Sequence, residues 1–128
     1  MSTLRSTGDL NGRTLTVGLS ELIGQPLASV EFVRDYIQLH FDGPTLTAYS
    51  LPTISLESSK IFAYGDGGWR DALCEQIGSA VHRVEVLPNS VSLTFEYGTV
   101  ISISLRNEDY KGPEALHFSL DANHSWVA

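Results

Sequence analysis

Leu15, Leu19, Leu22 and Ile23 recur at helical spacing, and Gly24 followed by Pro26 stops the run with a cap residue and one that cannot continue a helix. Trp69, Leu73 and Ile77 repeat at four-residue steps, Ala72 and Cys74 widen the stripe, and Gly78 closes it. After each helix the period changes to two. Leu27–Val33 and Val81–Leu87 are dense in β-branched and aromatic residues. Ile37, Leu39 and Phe41 then alternate with Gln38 and His40, as Val91, Leu93 and Phe95 alternate with Ser92 and Thr94. Such alternation predicts strands with one buried and one wet face. Thr45–Leu51 and Thr99–Leu105 supply a third strand each, with Tyr49 and Leu51 matching Ile103 and Leu105 on one face. Arg34-Asp35, Asp42-Gly43-Pro44, Pro88-Asn89 and Glu96-Tyr97-Gly98 are the connecting turns. Each series therefore reads as a helix followed by a three-stranded antiparallel meander.

The two series are also alike residue by residue. LSELIG from Leu19 aligns with LCEQIG from Leu73, and without a gap Val30-Glu31 meets Val84-Glu85, Leu39 meets Leu93, Phe41 meets Phe95, and Ser50-Leu51 meets Ser104-Leu105. About a third of the positions are identical, where chance gives roughly one in twenty, so an internal duplication is expected. The matched positions are mostly apolar, glycine or turn-like, which makes them scaffold. Units of about 54 residues are too small to bury much surface alone, so the copies are expected to share one core. The expected fold is β-rich α+β, two tandem units related by a pseudo-twofold axis in a single domain over residues 14–128, with repeat one near 15–68 and repeat two near 69–128.

Outside the units, residues 1–13 are polar and small and read as a loose leader. Pro52–Tyr64 reads as an irregular bridge with a strand at Lys60–Tyr64. Leu116, Phe118 and Leu120 alternate within Glu114–Leu120, which predicts a strand at a sheet edge, and Trp126-Val127 is expected to pack down. An open sheet with an unpaired edge strand makes a homodimer an expectation as well.

A formal net charge of -7, a pI near 4.9 and only 8 Lys and Arg argue against nucleic acid, whose phosphates need clustered cations. A protein partner with a basic surface suits this balance better. Cys74 is the only cysteine, which excludes an intrachain disulfide and a thiolate cluster and fits a reducing compartment. The N-terminus carries no apolar run of signal-peptide length and no stretch has membrane-helix length, so the expected place is the cytoplasm, with no membrane contact.

Candidate chemistry is sparse. His40, His82, His117 and His124 form no ligand pair at helical spacing and no HExxH motif, so neither a metal nor another cofactor is expected. Cys74 lies mid-helix beside Glu75, which disfavours a thiolate, and its match is Ser20, so a small, partly buried side chain is expected there. No GxSxG elbow occurs, and no catalytic residue is assigned. Glu31 with Glu85, and Glu21 with Glu75, are the acids kept in both copies; across a twofold axis such carboxylates could perturb each other. YGDGGWRD, from Tyr64 to Asp71, sets glycines, an aromatic and a cation before a helix, which makes Asp66, Trp69 and Arg70 candidates for binding an anion or a partner. Tyr110, among carboxylates in Asn107–Glu114, is a candidate for contact with a basic partner.

The duplicated Gly-x-x-[Leu/Val]-x-x-Val-Glu run, with DYKGPEALHF and the terminal Trp, resembles small bacterial proteins of unassigned function, over nearly all the chain after residue 14. That resemblance implies no activity. The expectation is a non-enzymatic, acidic binding or protein-interaction domain, of the kind immunity proteins use against basic effectors. The alternatives are a small-ligand binder or enzyme with a cleft between the repeats, and a structural or assembly subunit. A cleft is expected to open beside Glu31, Glu85 or the Tyr64–Arg70 loop, or to be closed by Phe41, Leu93 and Phe95.

Overall fold

The computed structural model describes residues 2–4 and 8–128, with side chains from residue 14 onward. It is an α+β fold, rich in strands, with two sheets and little helix. In chain order the elements are β1 (Ser2–Leu4), α1 (Gly8–Leu19), β2 (Ser29–Phe32), β3 (Ile37–His40), β4 (Thr45–Ala48), β5 (Thr53–Ser55), β6 (Ile61–Phe62), α2 (Trp69–Cys74), β7 (Val81–Leu87), β8 (Ser90–Phe95), β9 (Val100–Ser104), β10 (Leu116–Asp121) and β11 (His124–Val127). One sheet runs β1-β11-β10-β4-β3-β2 and the other β6-β5-β9-β8-β7. Every described pairing of these strands is antiparallel except that of β1 with β11.

Each sheet takes strands from both halves of the chain. β2–β4 form a meander that β10 extends, with Leu116 opposite Ala48 and Phe118 opposite Leu46. β7–β9 form a second meander that β5 extends, with Ile54 opposite Ile101. The crossover after β4 has a local cause. The N–H groups of Tyr49 and Ser50 both donate to the Ala115 carbonyl, at 2.8 and 3.1 Å, so the chain leaves the ladder. Pro52 follows and cannot donate to a ladder. Its carbonyl instead accepts from the indole of buried Trp69 at 2.8 Å, tying the crossover to α2.

Alternation places Ile37, Leu39, Leu46, Phe118, Val91, Leu93 and Ile101 on inward faces, all essentially inaccessible and all in one apolar cluster. Phe41 and Phe95 are buried with them. Each such aliphatic side chain contributes roughly 1.5–3 kcal/mol relative to exposure, so this cluster is the main stabilising feature. α1 packs against β7, β10 and β11, and α2 against β2 and β5. Gly18 permits the contact of α1 with β11: a Cβ there would lie 2.7 Å from the Trp126 ring, which itself stacks on Phe118.

The segments after the two helices cross each other. Gly24 N–H donates to Val81 O at 2.7 Å and Gly78 N–H to Leu27 O at 2.8 Å; Leu27 N–H donates to Ser79 O and Val81 N–H to Gln25 O, both at 3.0 Å. Pro26 bridges Ala80 between them. Gly24 and Gly78 hold φ of 89° and 93°, which a side chain would strain.

Several sequence expectations change. α1 opens at Gly8 rather than near Leu15, taking in part of the stretch read as a leader; residues 1 and 5–7 of that stretch lie outside the described residues. α2 ends at Cys74, so Ile77 falls beyond the helix and is half exposed, and Cys74 is exposed rather than partly buried. β4 and β9 stop short of Leu51 and Leu105. The stretch read as a bridge contains β5, and β10 lies between β11 and β4 instead of at an edge, because β11 folds back onto it. Trp126 is buried, as its apolar bulk suggested.

Candidate functional site

A groove of about 1250 Å³ lies at the turn end of the two meanders. Its floor belongs to the five-stranded sheet. Ser90, Ser102, Ser104 and Thr53 occupy outward positions there, because their neighbours Val91, Ile101, Ile103 and Ile54 take the inward ones. One wall is the turn after β2 with the end of β4, contributing Arg34, Asp35 and Tyr49; the other is the segment from Arg106 to Glu114. Tyr64 closes one side. Both halves of the chain therefore line the groove.

Its charges are unevenly committed. Asp109 accepts a hydrogen bond of 2.5 Å from the Ser104 hydroxyl, and the same hydroxyl accepts from the Arg106 backbone N–H at 3.1 Å. The Tyr110 hydroxyl donates to Asn107 at 3.0 Å, which fixes its ring against the wall. Arg34, Arg106 and Lys111 line the same groove, and among the described residues none of the three side chains makes an ion pair. Tyr49 has a phenol pKa raised from the ordinary value by its partial burial first, then by the negative charge of Glu114 and by Tyr36, whose ring lies 5.4 Å away. Asp35, Asp109 and Glu114 line the groove beside these cations, so an acidic group would be held by charge-assisted hydrogen bonds to the cations and hydroxyls in a lining that is formally neutral. No histidine is among the residues lining the groove, so it offers no serine with a neighbouring imidazole base.

The sequence candidates scatter. Tyr110 lines the groove. Trp69 is an anchor, 2% exposed, with edge contacts to Tyr64 and Phe32. Arg70 lies over the Phe32 ring at 5.7 Å, beside a small depression of about 200 Å³. Asp66 accepts from the Ala63 N–H at 2.8 Å, so its carboxylate shapes the turn before α2; the residue flanking the helix is Gly68, at φ 94°, and no side chain caps it. Glu31 and Glu85 lie on different sheets, each pointing outward. Glu31 is 3.0 Å from His40 Nε2, whose Nδ1 is 3.2 Å from Thr45 Oγ1. Phe41, Leu93 and Phe95 fill the middle of the molecule, so the opening lies beyond them and only Tyr64 of the expected loop reaches it.

Sequence reading missed Arg34, Arg106, Lys111 and Tyr49. Arg34 and Arg106 share a usable signal, since each directly follows a strand series at a turn. Among the described residues no cluster of three His, Cys, Asp or Glu could hold a metal ion, and no helix is long and apolar enough to cross a membrane. No family model matches the chain, and neither a curated protein nor a solved structure is similar to it.

Proposed function

We propose that this is a non-enzymatic binding domain whose ligand lies in the groove between the two halves and presents acidic groups to Arg34, Arg106 and Lys111. One observation carries the reading: in a chain of net charge -7, Arg34, Arg106 and Lys111 gather around one groove of about 1250 Å³ beside Asp35, Asp109 and Glu114, and among the described residues none of these cations makes an ion pair. The lining is formally balanced in a chain that is negative as a whole, so the groove repels an anionic ligand less than the rest of the surface does. The hydroxyl floor supplies donors and acceptors without bulk. A single, exposed cysteine accords with a reducing compartment such as the cytoplasm.

A protein partner with a basic surface is the second form of the reading, in the manner of an immunity protein. Exposed Glu21, Glu31, Glu75 and Glu85 favour it. Amide chemical-shift mapping separates the two. An oligoglutamate probe is expected to move Ser102, Ser104, Arg106 and Tyr110, and Arg106→Glu with Arg34→Glu is expected to abolish that response. Shifts confined to the exposed glutamates with an oligolysine probe would transfer the function to the acidic exterior.

The same reading includes a duplication with an approximate twofold axis near Pro26 and Ala80. The crossing bonds support it, because donors Gly24 and Gly78 and acceptors Val81 and Leu27 exchange roles at the offset of the sequence repeat. Strand order supports it too, since β11-β10-β4-β3-β2 and β6-β5-β9-β8-β7 correspond element by element. Asp35 with Asn89 at the sequence offset, and Tyr49 with Ser104 by strand register, are matching positions that all line the groove, which supports a binding site near that axis. Crystal coordinates in which the two five-stranded sets failed to superimpose would end this part of the proposal.

A further inference from the structure

β7 is the longest described strand and an edge of its sheet, and its free side is only partly covered. At the beginning of the strand, Val81 exchanges backbone hydrogen bonds with Gly24 and Gln25. A bulge between Val81 and Arg83 then resets the alternation, and from Arg83 to Leu87 no described strand lies on that side. The direction of the bare backbone groups follows from the neighbouring ladder. Leu105 N–H donates to Asn89 O and Phe95 N–H to Thr99 O, so the odd-numbered residues of β8 bond towards β9. Ser92 and Thr94 must then bond towards β7, where they face Glu85 and Arg83. The N–H and C=O groups of Val84 and Val86 are left pointing outward.

From this edge we infer that the protein forms a twofold dimer by antiparallel pairing of β7 with β7 of a second copy. The occupant is selected by charge. Pairing about Val84 makes a hydrogen-bonded pair of the two Val84 residues and sets Arg83 of each copy opposite Glu85 of the other. Those flanking positions are the non-hydrogen-bonded kind, where facing side chains come closest. A shift of the axis by one residue would place Glu85 against Glu85 or Arg83 against Arg83, and an axis at Val86 would set Glu85 opposite Leu87 without an ion pair, so pairing about Val84 is the register that charge favours. Such an interface is isologous and closed, and it joins two five-stranded sheets into one of ten strands. Edge β2 lacks the device, because Glu31 is its sole charge and would face Ser29 or itself.

Sedimentation and light scattering of the full chain at low salt test the pairing. Wild type is expected at twice the chain mass, Arg83→Glu and Glu85→Arg each at half that value, and the double variant Arg83→Glu/Glu85→Arg back at the dimer mass. Val84→Pro, which removes an outward N–H from an edge position, is expected to be monomeric with an unchanged circular dichroism spectrum. A monomeric wild type, a dimer that survives each single reversal, or a double variant that stays monomeric would each overturn the inference.

Discussion

Turned inward, the two sheets present nearly interchangeable surfaces: Ile37, Leu39 and Leu46 on one, Val91, Leu93 and Ile101 on the other, all inaccessible. Turned outward they differ. On the six-stranded sheet the polar side chains bind one another, with Gln38 Nε2 donating to Thr47 Oγ1 at 3.0 Å and His40 reaching both Thr45 and Glu31. On the five-stranded sheet the corresponding positions carry short hydroxyls, and Ser92 to Ser102 at 3.3 Å is the one bond between side chains across its strands among the described residues. The groove opens on this second face. Inner faces alike and outer faces unlike is what a shared core with a single specialised surface requires, since packing constrains the first and solvent leaves the second free.

The strongest way to break the comparison is to cut matched positions of the core. Leu39→Ala and Leu93→Ala are each expected to lower stability by about 2–5 kcal/mol, with one cooperative urea transition in both variants. Two separate transitions, or a loss confined to one half, would show that the inner faces are not one core. Next in size is Gly18→Ala. The added methyl meets the Trp126 ring at 2.7 Å, and overpacking of this kind costs about 1–3 kcal/mol. Combining it with Trp126→Leu should recover part of that loss, because contacting sites couple; strict additivity in urea titrations would mean that the ring moves aside freely.

These inner faces were legible in the sequence because a period of two is a local property: Leu39 and Leu93 announce their side by their neighbours alone. The exchange of strands was not. Glu114–Leu120 alternates well enough to read as a strand, yet its place between β4 and β11 depends on residues far away in the chain. β5 is three residues long, too short for any periodic signal, and its inward Ile54 is recognisable only beside Ile101. The groove was least legible of all. Its cations come from a turn after β2 and a segment after β9, and of its lining residues Tyr110, conspicuous among carboxylates, and Tyr64, at the head of a glycine-rich loop, stand out in the sequence. Trp69 is a buried indole bonded to Pro52 O that holds the crossover, which accords with its place in the apolar stripe with Leu73.

A smaller effect sharpens the contrast between the outer faces. Thr47→Val removes the acceptor of Gln38 at a position that is 4% exposed, and a net loss of about 0.5–1.5 kcal/mol is expected. Ser92→Ala breaks a longer bond at a half-buried site, where water replaces the partner and the change should stay within about 0.5 kcal/mol. Equal losses in denaturant titrations of the two variants would remove the distinction between a self-bonded face and an available one.

Alkaline titration reads the smallest difference, at the rim where the two faces meet. The Tyr49 phenol has its pKa raised above 10.0 by burial, by Glu114 and by Tyr36. The folded state therefore keeps this proton at pH values where the unfolded chain has begun to release it, and between the two pKa values the folded form binds more protons. Stability from this group is complete below pH 10.0 and declines as pH rises through the folded pKa. Tyr49→Phe, which cannot ionise, should flatten that decline in the stability-against-pH curve while leaving the curve near neutrality almost unchanged. Tyr36→Phe should lower the Tyr49 pKa towards its ordinary value by removing the last-ranked of the three causes. A decline equally steep in Tyr49→Phe would mean that other groups govern the alkaline limb and that the rim of the groove is as open to solvent as the hydroxyl floor beside it.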